Sequence, residues 1–301
     1  MKNKILKLML LVTSIAIGFA ATANAQIKTI SSDLSFPESV ISDGHFLYVT
    51  GSGKTPDPML KDGDGVIQKL TLDGKMIDKN ISKTPLNAPK GTAITNGVLY
   101  VADLGKIVGI SLKTGEKIVE IDFSEFKTGL LNDIAVKSAN TFFVTATDIG
   151  QVFKVSLGEK SIITAVKIPE IKGANGICYD KKTNRLFVVG FGSFGDKTGS
   201  GEIGYISWKG RTASYHRITE MNGFFDGVQL IDANTLAVTN WVSTSKPKGQ
   251  LLKINVKNGT PEILKDLEPI NGPADIYFDG VSKSLLIPVL IDNKLLKYNL
   301  K

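Results

Sequence analysis

A short sequence pattern that returns six times constrains the fold of this chain more than any other feature. Each copy has a small or proline-rich approach, one polar residue, an apolar run, a turn and a second apolar run. The copies read FPESVISDGHFLYVTG, APKGTAITNGVLYVAD, LLNDIAVKSANTFFVTAT, GANGICYDKKTNRLFVVG, FFDGVQLIDANTLAVTNW and GPADIYFDGVSKSLLIPV. Alignment brings one residue of each copy to an equivalent place, at intervals of 52, 42, 43, 51 and 49 residues. These residues are Glu38, Lys90, Asn132, Asn175, Asp226 and Asp275.

A period near 45 residues with strand-like content is typical of the blades of a β-propeller. Two more strand-like segments follow each copy, as GVIQKLTL and MIDKNISK do around Asp73-Gly74-Lys75. Asp-Gly and Asn-Gly tolerate the positive φ angles of tight hairpin turns. We therefore predict an all-β fold, a six-bladed β-propeller of four-stranded antiparallel blades. An open solenoid and a β-sandwich are the alternative architectures.

The two ends of the propeller region predict how the ring closes. The sixth unit stops after NKLLKYNL and lacks an outer strand, whereas QIKTISS near the start has no hairpin partner. Pairing residues 27–32 with the sixth blade would complete that blade and remove two open sheet edges. The apolar runs also predict these core residues: Val40, Leu47, Val49, Ile94, Val101, Ile134, Val144, Ile177, Phe187, Val228, Leu236, Ile276 and Leu286.

The first residues have the composition of a secretory signal. Residues 1–7 carry three lysines and no acid, residues 8–21 are almost wholly apolar, and Ala-Asn-Ala ends at Ala25. The apolar run of about 14 residues is shorter than the ~20 that span a bilayer. We expect residues 1–25 to be a signal peptide cleaved after Ala25, with residues 26–301 forming one exported domain, periplasmic or secreted. An uncleaved anchor is the alternative.

Charge and cysteine content exclude several classes of function. The formal charge of +7 falls to +4 without the three lysines of the signal, and the remaining basic residues are spread through turns. This distribution does not favour nucleic-acid binding. No later segment is apolar enough to predict a membrane span, and monomer is the default state. The single cysteine, Cys178, lies in the apolar run GICYD, which favours a core role over a nucleophilic one.

Closure of the ring would bring the aligned polar residues together at one mouth of the central channel. Carboxylate and amide oxygens from four blades are the ligands that a hard cation such as Ca²⁺ prefers. The two histidines, His45 and His216, fall in a turn and in an outer strand, which disfavours zinc. The four oxygen-bearing residues are Glu38, Asn132, Asn175 and Asp226.

The segments FPESV, LLNDIAV, ANGICYD and FDGVQL resemble the metal-binding elements of the senescence-marker protein/gluconolactonase family. The resemblance extends to paraoxonases and strictosidine-synthase-like propellers, and as an architecture it covers essentially residues 26–301. It implies one divalent cation, usually Ca²⁺, held by Glu38, Asn132, Asn175 and Asp226. It further implies that the cation polarises the carbonyl of a small lactone or ester, and that Asp226 is the catalytic base. The expected activity is that of a metal-dependent hydrolase.

Two positions depart from the pattern of that family. The chain has Pro-Glu-Ser around Glu38 where the family commonly has Glu-Gly-Pro, and Lys90 occupies the second-blade position. An ammonium there would repel a cation, pair with Glu38 or Asp275, replace the metal as the positive charge, or bind an anionic substrate. Asp275 is accordingly either a sixth carboxylate near the site or the partner of Lys90. The chain lacks a G-x-S-x-G motif and the paired histidines of paraoxonases.

Other residues are expected near the same mouth. Asp103, Asp148 and Asn240 follow apolar runs and would contact the ligands or the substrate, while Phe191 and Trp241 are candidates for an apolar wall. Three long Gly, Pro, Ser and Lys-rich loops would surround the mouth. The competing function is a non-catalytic propeller that binds a protein, peptide or glycan through this loop face. A metal-free condensing enzyme is a third alternative, and the substrate is not encoded in a recognisable signature.

Overall fold

Six four-stranded antiparallel sheets make up the fold. The computed structural model describes residues 26–246, 248–264 and 268–300. Across these residues each sheet forms one blade, and five of the six are meanders of four consecutive strands, which confirms the predicted six-bladed propeller. The predicted signal peptide, residues 1–25, lies outside the described residues. The helices in the described part of the chain include none long and apolar enough to cross a membrane.

The blades follow one another in chain order, and each runs from an innermost strand to an outer one. Blades one and two contain β2 (Pro37–Ser42), β3 (Phe46–Gly51), β4 (Val66–Thr71), β5 (Met76–Asp78), β6 (Pro89–Thr95), β7 (Val98–Asp103), β8 (Lys106–Ser111) and β9 (Lys117–Asp122). Blades three and four contain β10 (Leu131–Ser138), β11 (Thr141–Ala146), β12 (Gln151–Ser156), β13 (Ile162–Ala165), β14 (Ala174–Asp180), β15 (Arg185–Gly190), β16 (Ile203–Lys209) and β17 (Thr212–Arg217). Blades five and six contain β18 (Phe225–Asp232), β19 (Thr235–Asn240), β20 (Gln250–Asn255), β21 (Pro261–Ile263), β22 (Tyr277–Asp279), β23 (Ser284–Val289), β24 (Lys294–Asn299) and β1 (Ile27–Ser31).

Burial along the strands explains why their sequences differ. The second strand of a blade is covered on both faces by the neighbouring blades, and β7 and β23 are buried at every position. Such strands read as continuous apolar runs. The outer strand β17 alternates between exposed and half-buried residues, as expected for a strand with one face in solvent.

The hydrophobic core lies between adjacent blades. Tyr100 of blade two packs against Phe142 of blade three with ring centroids 5.3 Å apart, and Phe143 stacks on Trp208 of blade four at 5.4 Å. Of the predicted core residues all are buried except Ile94, which is half-buried against the cluster that contains Leu99. Each blade is therefore stabilised mainly by its two neighbours.

The N-terminal strand closes the ring, as predicted. The strand order in the last sheet is β1-β24-β23-β22, with Ile27 opposite Tyr298 and Thr29 opposite Leu296. The backbone N–H of Asn299 also donates to the Gln26 carbonyl at 2.7 Å. β1 thus becomes the outer strand of the last blade and covers the edge of β24.

Candidate functional site

Five polar side chains occupy the same place in five blades. Each is the second residue of its innermost strand, at the end where the chain enters the blade. These are five of the six residues aligned from the sequence: Glu38, Lys90, Asn132, Asn175 and Asp226.

A bulge at this place in each of the five strands locally breaks the pairing. In β10, Leu131 pairs with Ala146 and Ile134 pairs with Val144, so three residue steps oppose two. The same irregularity follows the first residue of β2, β6, β14 and β18. A bulge re-aims a side chain and often lies beside a functional site. Here it accounts for polar residues in strands that are otherwise apolar.

Glycine follows the polar residue where the neighbouring blade comes closest. A Cβ at Gly176 would lie 2.2 Å from the Asp226 carbonyl oxygen, and one at Gly227 would lie 2.6 Å from the Ile276 nitrogen. No larger residue fits at such distances without moving the backbone. The Asn-Gly and Asp-Gly pairs of the repeats therefore reflect tight packing around the channel as well as the polar residue itself.

Threonine hydroxyls fasten each of three blades to the next at the same level. Thr50, Thr145 and Thr239 are buried and occupy equivalent places in the second strand of blades one, three and five. Their Oγ1 atoms donate to backbone oxygens at 2.7, 2.6 and 2.7 Å. The respective acceptors are the carbonyls of Lys90, Asn175 and Ala274. These bonds fix the depth of blades two, four and six against blades one, three and five, respectively.

The same bonds correct the sixth position of the sequence alignment. Ala274, the acceptor for Thr239, is the equivalent of Lys90 and Asn175, so Asp275 lies one residue further into the channel. Asp275 Oδ1 accepts from the N–H of Ile276 at 2.7 Å, just as Asp133 Oδ1 accepts from the N–H of Ile134 at 2.7 Å. Asp275 thus matches Asp133. It does not pair with Lys90 in any ion pair among the described residues.

A cavity of about 250 Å³ opens at the mouth that these residues surround. All five ring side chains line it, whereas Asp275 does not. Its remaining wall is largely apolar and comes from the loops of several blades. That wall consists of Pro56, Pro58, Leu130, Thr147, Phe191, Phe194, Trp241, Leu290 and Ile291.

Lys90 and Glu38 form a buried ion pair inside this cavity. Lys90 Nζ contacts Glu38 Oε1, and the two side chains are 4% and 12% exposed. Charges removed from water need such a partner, because the cost of burying either one alone is several kcal/mol. Of the roles open to Lys90 from the sequence, the structure realises the pairing with Glu38.

Asp226 is the buried carboxyl group at the centre of the site. Its Oδ2 accepts a hydrogen bond of 2.9 Å from the indole N–H of Trp241. Burial raises the pKa of Asp226 well above its ordinary value, and the negative charges of Glu38 and Asp275 raise it further. Lys90 and the Trp241 hydrogen bond lower the pKa but do not offset the other effects. The group is a stronger base than an exposed aspartate.

The amide residues supply oxygens that are not otherwise used. Asn175 Oδ1 is buried and has no hydrogen-bond partner among the described residues. A buried acceptor without a partner costs free energy unless a ligand satisfies it. Two amides with Glu38 and Asp226 make a donor set that fits a hard cation such as Ca²⁺. Within the described residues no group of three or more His, Cys, Asp and Glu could hold a metal, so any such site depends on the amides.

Three residues predicted near the site do not line the cavity but hold the segments that lead into the innermost strands. Asp103 Oδ1 accepts from the N–H groups of Asn87 and Ala88, both at 3.0 Å. Asp148 Oδ2 accepts from the Gly129 N–H at 2.6 Å. Asn240 Oδ1, in the fifth blade, accepts from the Phe224 N–H at 3.2 Å. Each fixes the backbone just before one ring residue.

Two further carboxyl groups lie one residue deeper than the ring and face the opposite end of the channel. Asp133 and Asp275 line a second cavity of about 210 Å³ on that side. Burial raises the pKa of both, that of Asp275 to about 6. Asp133 Oδ2 accepts from the Ile177 N–H at 2.9 Å, and Asp275 Oδ2 accepts from the Ser39 hydroxyl at 2.6 Å. These bonds tie blade three to blade four and blade six to blade one.

Among the described residues that line the mouth there is no serine, cysteine or histidine, and the Thr147 hydroxyl donates to the Ala174 carbonyl at 2.8 Å. Cys178 lines the second cavity, and burial raises its pKa to about 12, so it stays a thiol. His45 is exposed in a turn, and His216 is exposed on β17, where it stacks on Tyr205 at 4.8 Å. Both histidines lie where the sequence predicts them. The chemistry available at the mouth is that of Glu38, Lys90 and Asp226.

Sequence reasoning missed several residues that shape the site. Asp133 sits directly after Asn132 in an apolar run, and a charged residue at such a place is a signal of a buried, bonded group. Phe194, Leu290 and Ile291 lie in loops whose positions depend on the packing of whole blades. No local pattern marks those three residues.

Comparisons with known proteins identify the fold but no family. In sequence comparisons no protein-family model and no curated protein matches the chain. A gluconolactonase from Xanthomonas campestris is similar in structure, with a TM-score of 0.65, 14% identity, and coverage of 91% of this chain and 89% of that one. Virginiamycin B lyase from Staphylococcus aureus has a TM-score of 0.57 and 19% identity, covering 88% and 95%.

A structure without a named catalytic activity is similar to the same degree. A chain of a nidogen/laminin complex gives a TM-score of 0.55 at 17% identity, and covers 85% of this chain and 93% of that one. Propellers with enzymatic and with binding roles therefore share this architecture. At these identities the similarity establishes the fold alone.

Proposed function

We propose that the chain is an exported hydrolase that opens a small lactone or ester at the mouth of the channel. The observation that carries the proposal is the cavity of about 250 Å³, in which Glu38, Lys90, Asn132, Asn175 and Asp226 converge beneath an apolar wall. A concave apolar pocket with a few convergent polar groups and a perturbed carboxyl pKa is the usual form of an active site.

The residues of this chain supply a base and a means of holding it. Asp226, with its raised pKa, would take the proton from the attacking water, because a base works best when its pKa lies near the working pH. Trp241 holds the carboxyl group through Oδ2, and Oδ1 takes no part in that bond. Lys90 places one positive charge beside the site, where it would stabilise developing negative charge on the carbonyl oxygen.

A divalent cation fits the remaining donor set. Glu38, Asn132, Asn175 and Asp226 would hold it, with Ca²⁺ as the ion expected from the mixture of carboxylate and amide oxygens. When bound, such an ion polarises a carbonyl group and lowers the pKa of bound water. The unpartnered Asn175 Oδ1 supports this assignment. The ion pair opposes it, since Lys90 already neutralises Glu38.

The wall of the cavity favours a substrate with an apolar part next to the acyl group. Phe191 and Trp241 meet edge to face with centroids 5.7 Å apart, and Leu130 and Leu290 complete the surface. Phe194 is 66% exposed at the rim. A polyhydroxylated sugar lactone would leave many hydroxyls without partners against these side chains, whereas an alkyl or aryl substituent would bury apolar area.

The second candidate is a non-catalytic propeller that binds a partner through its loop face. The ion pair favours it, because Lys90 and Glu38 satisfy each other without a ligand. Exposed apolar side chains on the loops around the mouth also favour it, since such groups often mark interaction sites. They are Met59, Ile149, Phe194, Val242 and Ile291.

A hydrolysis assay with matched variants separates the two candidates. Residues 26–301 would be tested on short aliphatic lactones, aryl esters and a sugar lactone, with Ca²⁺, Mg²⁺, Mn²⁺ or Zn²⁺ and after chelation. We expect Asp226→Asn to lower kcat/KM by about 100-fold or more. Asp232→Asn, at an exposed place on the same strand, should leave it unchanged. Absence of turnover on every substrate with every ion would leave the binding role as the better assignment.

Calorimetric titration shows whether a cation takes part. Ca²⁺ binding that is lost in Asn175→Ala, together with turnover abolished by chelation, supports the four-residue metal site. Turnover that survives chelation but is lost in Lys90→Gln assigns the positive charge of the site to Lys90.

A further inference from the structure

In a third cavity, far from the mouth, every charged residue of the lining is positive. It lies between blades three and four and has a volume of about 650 Å³. Its charged residues are Lys137, Lys154, Lys167 and Arg211, and no carboxylate lines it. We call these four residues and the cavity they line the basic cleft. It is larger than the cavity at the mouth and within the ~300–1,000 Å³ of ligand sites.

The basic cleft lies at the end of the blades opposite to the ring residues. Lys137 is near the last residue of β10, whereas Asn132 is near the first. Arg211 lies in the turn between β16 and β17, where the hairpin of blade four reverses. A ligand here would not compete with a substrate at the mouth.

The cations of the basic cleft have no carboxylate partners. Across the described residues, none of the four takes part in an ion pair. Elsewhere on the surface several lysines and one arginine do, among them Lys106 with Glu120 and Arg217 with Glu202. Like charges that line one cleft repel one another, and an anionic ligand would relieve that repulsion.

The floor of the basic cleft is aromatic. Trp208 and Phe143, which both border the cleft, stack with an interplanar angle of 26°. Phe143 is 1% exposed, so the half-buried Trp208 is the ring that can meet a ligand. Lys137 Nζ lies 5.8 Å from the centroid of each of these rings, within the range of a cation–π contact. Thr164 and Thr212 add hydroxyl groups to the lining. The surface thus combines positive charge, a flat apolar platform and hydrogen-bonding groups.

The corresponding cleft between blades five and six has a lining of mixed charge. Lys253 is the fourth residue of β20, as Lys154 is the fourth residue of β12. That cleft has a volume of about 430 Å³, and Asp232 lines it together with Lys253 and Lys283. The all-positive lining is therefore a property of blades three and four and does not follow from the repeat.

We propose that the basic cleft binds an acidic oligosaccharide, a short chain of sugar rings that carry carboxylate or sulfate groups. The anionic groups would meet the lysines and the arginine, a ring face would lie on Trp208, and the hydroxyls would bond the threonines. An isolated phosphate would use neither the platform nor the volume. The site is independent of the hydrolase activity proposed above.

Titration of residues 26–301 with defined oligosaccharides tests this proposal. Tetragalacturonate and a heparin-derived tetrasaccharide provide carboxylated and sulfated probes, and maltotetraose is the neutral control. We expect at least one acidic probe to bind, more weakly as salt rises, and the neutral one not to bind. Binding to neither acidic probe at millimolar concentration overturns the proposal, as does stronger binding of an oligothymidylate.

Variants locate the binding. Lys154→Gln should weaken it about two- to fivefold, the range for one exposed charge contact, and Lys137→Gln with Arg211→Gln should weaken it further. The matched variant Lys253→Gln should have no effect, and equal losses in both lysine variants would contradict the assignment to the basic cleft.

Tryptophan fluorescence tests whether a sugar ring stacks on Trp208, because purely ionic binding to the lysines would leave the Trp208 emission unchanged. The chain has two tryptophans, so Trp241→Phe leaves Trp208 as the only reporter. We expect the acidic probe to change the Trp208 emission with the same saturation curve as calorimetry. Unchanged emission at saturation would exclude a ring on the platform. Hydrolase activity should stay the same in Lys154→Gln, which separates failure of one proposal from failure of the other.

Discussion

At the scale of single residues, the ion pair of Lys90 with Glu38 decides what the candidate site can hold. The pair is almost completely buried, and each charge is stabilised by the other. A divalent cation would compete with the Lys90 ammonium for the Glu38 carboxylate. The two proposed sources of positive charge are therefore linked, and removal of Lys90 should affect both stability and ion binding.

We expect Lys90→Gln to lower the free energy of unfolding by about 3 kcal/mol without divalent ions, because Glu38 would be left buried and unpaired. Calcium affinity should rise about tenfold or more, since a repelling charge is gone and a carboxylate is freed. Urea unfolding and calorimetric titration measure the two effects. Lys106→Gln, in the exposed pair with Glu120, is the control and should cost under about 1 kcal/mol. Unchanged calcium binding in Lys90→Gln would contradict competition for Glu38.

Trp241→Phe should alter the pH dependence of turnover. The variant keeps an aromatic ring but loses the N–H that donates to Asp226 Oδ2, and that bond lowers the Asp226 pKa. The carboxylate form should then require a higher pH, so the acid limb of kcat/KM should move to higher pH. Profiles of wild type, Trp241→Phe and Trp208→Phe measure this shift. A similar shift in Trp208→Phe, whose ring lies in another cavity, would show a non-specific effect.

At the scale of strands, the fold depends on how each one meets its neighbours. The bulges turn the ring residues into the channel, and the threonine hydroxyls fix the level of one blade against the next. Closure depends on β1, in which Ile27 and Ile30 pack onto the core while Lys28 and Thr29 face solvent. β1 and β24 thus pair as antiparallel neighbours, although they lie at opposite ends of the described sequence.

Deletion of residues 26–31 should open the ring at β24. The apolar area of Ile27 and Ile30 would be lost, which corresponds to about 3 kcal/mol of stability. The exposed edge of β24 should also promote association between molecules. Size-exclusion chromatography and urea unfolding measure these effects, and a peptide of residues 26–33 should restore the monomer. Lys28→Ser is the control for a change on the solvent face, and a deletion as stable as wild type would contradict closure by β1.

At the scale of the whole molecule, closure gathers acidic groups from three blades around one channel. Asp133, Asp226 and Asp275 lie far apart in sequence, and burial raises the pKa of each. A carboxyl group whose pKa is raised on folding binds protons more tightly in the folded state. Its contribution to stability is present below the ordinary pKa and is lost as pH rises through the folded value.

Asp275→Asn should therefore flatten the pH dependence of stability. The Asp275 pKa is raised from 3.8 to about 6, so the wild type should lose stability between about pH 4 and pH 6 relative to the variant. One pKa unit corresponds to about 1.4 kcal/mol, and solvent in the channel should reduce the loss to about 1–2 kcal/mol. Urea unfolding at several pH values measures it. The exposed control Asp232→Asn should parallel wild type, and parallel curves for Asp275→Asn would refute the effect.

The repeat in the sequence determined the number of blades, their four strands and the closure by the first strand. It also placed five of six ring residues correctly, because a polar residue before an apolar run, followed by Gly176 or Gly227, is a local signal. The blades and the ring residues depend on contacts between neighbours in the chain or between copies of one pattern, and closure follows from the outer strand that the sixth copy lacks. Periodicity records such contacts directly.

Only the tertiary structure decided what those residues do. It shifted Asp275 off the ring, paired Lys90 with Glu38, and formed the apolar wall and the basic cleft. The physical reason is that these features depend on the register and depth of one blade against another. Bulges, threonine bonds and core packing set that depth through contacts between residues distant in sequence. The positions of the polar ring residues could therefore be predicted from the sequence, whereas the pairing of their charges could not.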